Sequence, residues 1–298
     1  MLKKLYNRLV RLPAIQASQI AALQNELKVF QDEVKSLKEQ TALLGKQMES
    51  FAEKKQLDRM AQKYGSRIDV LADLIGSILY PESSRDAVRT DQEAAWSSKH
   101  GFRYVVHHLG EDWKKTRVPL WTVLLEQMPE VQSVVEFGCN IGANLKALHH
   151  LDPSLELAGV EINQFAVDLL RREGICSAHQ GSVATADLGR TFDLVFSRGV
   201  LIHIRPDDLP VVFANMERHA RKYLIIWETF SETPYHLEAY SEGVAGGKPG
   251  EGYQFWRDFA GDFIKQFPNW SVVSSGIDRK LGAKPAHGKL VWTLLQRA

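Results

Sequence analysis

The stretch Val134-Val135-Glu136-Phe137-Gly138-Cys139-Asn140-Ile141-Gly142-Ala143-Asn144-Leu145 constrains the fold more than any other part of the chain. An apolar run carrying one acid passes into a glycine-spaced turn and then into helix-forming residues. This order predicts a buried strand, a tight turn and a helix whose first backbone N–H groups face a ligand. Downstream, Leu157-Ala158-Gly159-Val160 predicts a second strand ending in Glu161. A carboxylate there can accept hydrogen bonds from both hydroxyls of a ribose. The glycine loop alone is weakly specific, whereas loop and acid together are much more so. Asn140 stands where the middle glycine of such a loop is expected, and asparagine tolerates positive φ better than other non-glycine residues. The G-x-G-x-x-G of dinucleotide-binding loops is not present, which weakens that reading.

Apolar runs and helical patterns then alternate. Strands are predicted at 132–137, 156–161, 175–180, 192–197, 222–228, 270–276 and 289–295, with helices near 112–129, 142–150, 163–173, 207–220 and 254–266. Strands separated by helices argue for βαβ units. The expected fold is α/β, a Rossmann-like, doubly wound and mostly parallel seven-stranded sheet whose last strand inserts antiparallel.

At Glu136, Gly138, Gly142 and Glu161 the sequence resembles class I methyltransferases, and the resemblance implies S-adenosyl-L-methionine as cofactor. It assigns cofactor contacts to Glu136, Gly138, Cys139, Asn140, Gly142 and Asn144 in and after the loop, and to Glu161 and Ile162 after the second strand. Gly181, Ser182 and Val183 close the third strand, where the family contacts adenine, although Ser182 replaces its common acidic residue. Ser197 and Arg198 end the fourth strand, beside the transferring methyl group. The runs Glu136–Leu145, Gly159–Asn163, Gly199–Pro206, Glu228–Pro234 and Arg257–Gly261 further resemble methylases associated with pseudaminic acid and related surface-sugar biosynthesis. That likeness implies a sugar or glycan hydroxyl as acceptor.

Methyl transfer from a sulfonium is an in-line displacement, so positioning dominates and a base assists a hydroxyl acceptor. His203 follows the fourth strand at the ligand-binding edge and is the leading base. Helix capping or packing under the loop explains it equally well. His236 is the runner-up. Glu228, Tyr235, Tyr240, Trp256 and Arg257 flank the glycine-rich stretch 243–252 and suit a carbohydrate-binding lid, while Trp256 also fits the buried face of a helix. Trp96 and Tyr104 either fold over the cofactor or belong to the core. No metal site is predicted, because the ten histidines are dispersed and no carboxylate cluster has ligand spacing.

The N-terminal part reads differently. Ile20, Leu23, Leu27, Phe30, Val34, Leu37, Thr41, Leu44, Met48 and Phe51 step by threes and fours. Such a seam predicts a coiled coil over 14–80, formed with further copies of the chain, with a stutter after Phe51. A helical hairpin is the alternative; an unbroken rod would extend on the order of 100 Å. Residues 1–13 form a basic amphipathic segment that either rests on an anionic membrane surface or continues the heptads. Residues 81–111 are polar and proline-marked, a linker or cofactor flap, and 112–298 form the α/β domain. A net charge of +1 argues against nucleic acid as partner. Two cysteines without framework spacing and no apolar run of about 20 residues point to a reducing cytoplasmic setting, with the inner face of the membrane in reach. A coiled-coil scaffold with a degenerate cofactor module is the non-enzymatic alternative, and a small metabolite, lipid or protein is the alternative acceptor.

Overall fold

Thr90 begins the first of the described helices with a reciprocal cap. Its hydroxyl accepts from the Glu93 N–H at 3.1 Å, and the Glu93 carboxylate accepts from the Thr90 N–H at 3.2 Å. This computed structural model describes residues 90–237, 254–278 and 289–298. The basic segment 1–13, the heptads of 14–80, Tyr240 and the glycine-rich stretch 243–252 lie outside the described residues.

From that cap, α1 (Asp91–Ser97) and α2 (Lys99–His108) occupy part of the segment expected as linker or flap. α3 (Trp113–Thr116) and α4 (Val118–Glu126) replace the single helix expected over 112–129. The division falls at Arg117, and Pro119 sits in the first turn of α4, where a missing N–H costs no helical bond. The succeeding elements are β1 (Ser133–Phe137), α5 (Ala143–Leu151), β2 (Glu156–Glu161), α6 (Gln164–Glu173), β3 (Ser177–Gln180), β4 (Phe192–Arg198), a 3-10 turn (Leu201–His203), α7 (Leu209–His219) and β5 (Ala220–Phe230). Then follow β6 (Tyr235–Leu237), β7 (Gln254–Trp256), α8 (Phe259–Gln266), β8 (Trp270–Ile277) and β9 (Lys289–Arg297).

The seven-stranded sheet runs β3-β2-β1-β4-β5-β9-β8, with β6 and β7 forming a separate antiparallel pair. The first five strands are parallel, and β9 lies antiparallel between β5 and β8. The α/β architecture and antiparallel closing strand expected from the sequence are present. The helix expected over 254–266 is shorter. Gln254–Trp256 pairs with Tyr235–Leu237 instead, and Asp258 caps α8 by accepting from the Gly261 N–H at 2.8 Å. Aromatic residues favour the pleated arrangement, and the cap fixes where the helix can begin.

Alternate residues of the central strands face opposite sides, as a two-residue period requires. Val134, Leu157, Leu194, Ile225 and Leu294 pack with Trp121, Leu124, Leu148 and Leu170 of α4–α6. Val135, Ala158, Val195, Ile226 and Leu295 pack with Phe213, Met216 and Phe263 of α7 and α8. Both faces are therefore covered, which explains the nearly continuous apolar strands. At the amino edge Asp193 fixes register: one oxygen accepts from the backbone N–H groups of Gln132 and Ser133, both at 3.0 Å, and from the Ser133 hydroxyl at 2.9 Å. The opposite, carboxyl edge of β1, β2 and β4 is left for a ligand.

Candidate functional site

A cleft opens at that carboxyl edge, between the loops after β1–β4 and helices α1 and α2. After β1 the backbone turns through Gly138 at φ 78° and Asn140 at φ 47°, the one non-glycine residue with positive φ among the described residues. Gly142 (φ 72°) then caps α5. A Cβ on Gly138 would lie 2.3 Å from Val200 Cγ2, and one on Gly142 would lie 2.6 Å from Leu170 Cδ1. Both glycines thus combine a left-handed backbone with close approach, while asparagine serves at the third position.

Glu136 projects from β1 into this edge and is almost fully buried. Asn144 Nδ2 donates to its Oε1 at 2.6 Å, and Trp121 Nε1 donates to Asn144 Oδ1 at 3.2 Å. Glu136 Oε2 and Asn140 Oδ1 have no hydrogen-bond partner among the described residues. Burial pushes the Glu136 carboxyl up to about 8, against the opposing Asn144 hydrogen bond and nearby arginines. Glu161 accepts the Asn140 N–H on one oxygen and the Asn163 N–H on the other, both at 2.8 Å. The Ile162 N–H is a third backbone donor to this carboxylate. Burial raises its carboxyl, and these backbone donors oppose the rise.

The far wall is aromatic. Trp96 sits against Tyr104 and His203, with ring centroids 5.2 and 4.7 Å apart. His203 is buried and lines the cleft from the 3-10 turn. Arg198 pairs with Asp278 at 3.2 Å and lies over the Trp227 ring at 4.5 Å. Arg117 pairs with Glu111 at 2.5 Å, and burial, then the neighbouring Arg198, lower its pKa.

Of the residues singled out from the sequence, Glu136, Gly138, Cys139, Asn140, Asn144, Glu161, Ile162, Ser182, Val183, Arg198 and His203 line this cleft. Gly142, Gly181 and Ser197 do not. Gly142 shapes the turn, and Gly181 ties β3 to β2 by donating its N–H to the Glu161 carbonyl at 3.0 Å. Ser197 is buried and donates to Glu228 at 3.1 Å. Glu228, expected at the acceptor, is instead buried beneath the loop after β4. Its Oε1 accepts the N–H groups of Val200 and Leu201 at 3.0 and 3.1 Å, and burial pushes it up to about 7. Its work is to hold the loop that carries His203.

His236 and Tyr235 are exposed on β6; His236 stacks on Phe255 at 4.6 Å, and Tyr235 meets Trp256 at 5.2 Å. Arg257 is engaged by Asp262 at 2.6 Å. None of these four lines the cleft, although β7 packs beside the 3-10 turn. Sequence reasoning missed Glu93, His108, Glu111 and Arg117. The T-x-x-E signature at Thr90–Glu93 was the one local signal that a helix begins there. Among the described residues no group of three or more histidines, cysteines or acids could hold a metal ion, and no helix is long and apolar enough to cross a membrane.

Residues 134–223 match the methyltransferase domain family. This methyltransferase-like segment begins in β1 and ends within β5, so it contains Glu136, the loop, Glu161 and His203. A curated relative, the dTDP-4-amino-2,3,4,6-tetradeoxy-D-glucose N,N-dimethyltransferase of Saccharopolyspora spinosa, is 26% identical over 136 residues, covering 43% of this chain and 53% of the relative. The chain thus spans about half the length of that relative. Among solved structures, the glycopeptide N-methyltransferase MtfA with S-adenosyl-L-methionine is 13% identical at a TM-score of 0.47, covering 61% of this chain and 93% of that one. A sugar N-methyltransferase from Streptoalloteichus is 19% identical at 0.45, covering 64% and 90%. The magnesium protoporphyrin IX methyltransferase of Synechocystis is 14% identical at 0.49, covering 70% and 100%.

The side chains at the cleft fit S-adenosyl-L-methionine. The Glu161 carboxylate lines the cleft at the end of β2, where it suits a ribose hydroxyl, and the buried Glu136 Oε2, without a partner among the described residues, suits the amino group at the methionine end. The opened carboxyl edge of a parallel sheet is where such ligands sit.

Proposed function

We propose that the protein is an S-adenosyl-L-methionine-dependent methyltransferase acting on a hydroxyl of a sugar, nucleotide sugar or glycan of surface-polysaccharide type. The observation that carries the cofactor part is the convergence in one cleft of Glu161, held by backbone donors at the end of β2, with the buried Glu136 and the half-buried Asn140 at the neighbouring strand end. The cofactor's sulfonium supplies the activated methyl group. Glu161 holds its ribose and Glu136 its amino-acid end, Trp96 and Tyr104 exclude water from above, and His203 takes the proton that the acceptor oxygen loses. Glu228 keeps the His203 loop in place through its backbone donors.

A sugar acceptor is supported by the S. spinosa relative, named for an amino-sugar nucleotide. The same name favours a second reading, in which the acceptor atom is a sugar amine. The neutral amine would then attack the methyl group, and His203 would take the proton that the methylated ammonium loses. We also propose that the heptads of 14–80 assemble copies of the chain.

Calorimetric titration of the full chain with S-adenosyl-L-methionine and S-adenosylhomocysteine, with Glu161→Ala as control, tests the cofactor. Binding in the micromolar range that the control loses is expected; a folded protein that binds neither ligand overturns the reading. Transfer of labelled methyl to matched hydroxy- and amino-sugar nucleotides then separates oxygen from nitrogen. His203→Ala is expected to lower turnover by about 100-fold with cofactor affinity retained, the range for a lost general base.

A further inference from the structure

We propose that the cofactor's ammonium displaces a proton from Glu136 as it docks, so that filling the cleft releases one proton to solvent and cofactor affinity climbs with pH. The inference rests on the S-adenosyl-L-methionine reading above.

Three linked side chains fix which oxygen is involved. An indole N–H can only donate, so its bond to Asn144 turns the amide oxygen toward Trp121 and the amide NH2 toward Glu136. Glu136 Oε1 is thereby an acceptor. Oε2 is buried without a partner among the described residues, and the proton of a neutral carboxyl sits there.

The surroundings favour that neutral form. Two arginines bear on Glu136, and both are engaged elsewhere: Arg198, at the end of β4, pairs with Asp278, and Arg117, just before α4, with Glu111. Glu161 of β2 opposes ionisation. The Cys139 thiol of the loop and the Cys176 thiol before β3 also lie within reach of its charge, and burial raises both, so they stay neutral. A buried carboxylate with one neutral amide for a partner is costly, and such a group keeps its proton instead. Burial accordingly pushes this carboxyl up to about 8.

The ammonium at the cofactor's amino-acid end is the cation this pocket lacks. An α-amino group is charged below about pH 7.7. When it reaches Oε2, the O–H bond breaks, the proton leaves to solvent, and the carboxylate accepts an ammonium N–H in its place. A neutral acid and a cation enter, and an ion pair and a free proton result. Below about pH 8 each bound cofactor therefore works against one proton, and above it the acid is already ionised.

Calorimetric titration of the full chain with S-adenosylhomocysteine, which carries the same ammonium, tests this. Binding enthalpies at about pH 6.5 in phosphate and in imidazole, buffers of different ionisation enthalpy, count the protons exchanged. Wild type is expected to release about one proton per ligand and to gain affinity about tenfold between pH 6 and pH 7. 5′-Methylthioadenosine keeps the purine and ribose but lacks the amino acid, so it is expected to bind without proton release; a proton lost from Glu161 at the ribose would appear with both ligands. Glu136→Gln has no proton to lose and is expected to bind S-adenosylhomocysteine with none released and with a flat affinity over that range. Wild type that binds S-adenosylhomocysteine without releasing a proton, or releases as many with 5′-methylthioadenosine, overturns the inference and leaves the cofactor reading standing, as does a folded Glu136→Gln that still releases one. If Glu136→Gln fails to fold, the two ligands on wild type decide. A folded wild type that binds neither ligand overturns both.

Discussion

At the scale of single residues, the cleft is a set of buried polar groups kept ready at an energetic cost. Glu136 is the clearest. Its carboxyl is raised from 4.5 in the unfolded chain to about 8 by burial, so between those pH values the folded state holds a proton that the unfolded state has released. Stability therefore falls as pH rises from about 4.5 to about 8 and is level beyond, with Glu228 contributing in the same direction up to about 7. Glu136→Gln is expected to flatten this slope and to raise the melting temperature of the cofactor-free protein at its alkaline end, as thermal melts across that range will show. Asn140 yields a second prediction. Its φ of 47° suits asparagine and glycine, so Asn140→Gly is expected to melt close to wild type, and Asn140→Ala to lose about 1 kcal/mol in chemical denaturation. Neither glutamate's energetics could be read from the sequence, whereas the asparagine's backbone role could, because a turn is specified by the residues that make it.

The elements differ in the same way. β1, its loop and α5 were legible, since apolar run, glycine spacing and helix follow one another within a dozen residues. Of the walls that α1 and α2 contribute, Trp96 and Tyr104 were legible as one of two readings, whereas Glu93, His108 and Arg117 were not, because their approach to the loops is set by packing against distant residues. Asn163 shows how. Its Oδ1 caps α6 by accepting the Ala166 N–H at 3.3 Å, while its Nδ2 donates to the Trp96 and Ser98 carbonyls at 3.1 and 3.4 Å. One side chain starts a helix of the sheet layer and pins the junction of the two cleft helices. Asn163→Asp keeps the cap and loses the donor. Amides around residues 96–101 are expected to exchange faster by about tenfold, the loss of one net hydrogen bond, while α6 remains protected, a pattern readable by hydrogen exchange. The hairpin of β6 and β7 misled for a related reason. Trp256, Phe259 and Phe263 share the spacing of a helical face, and nothing local announces that Gln254–Trp256 has a strand partner at Tyr235–Leu237.

For the molecule as a whole, the proposed reading puts catalysis and assembly in separate stretches. Alanine at Leu27, Val34 and Leu44 together is expected to reduce the mass found by sedimentation to that of one chain while cofactor affinity stays within about twofold, since sites without shared partners act independently. Loss of both together would mean that the division at 80–112 is misplaced. The sheet itself carries a further consequence. β8 touches the sheet through β9 alone, and β9 comes after it in the chain. During synthesis β8 must therefore wait, its one neighbour still to be made, while β1 to β5 can already pair. The β5-β9-β8 end of the sheet, which carries Trp227, Trp292 and Trp270, is thus completed after the ligand-binding edge has taken shape. A ribosome-bound chain halted before β9 would expose Trp227 on an unfinished edge, an invitation to chaperones that the finished protein withdraws.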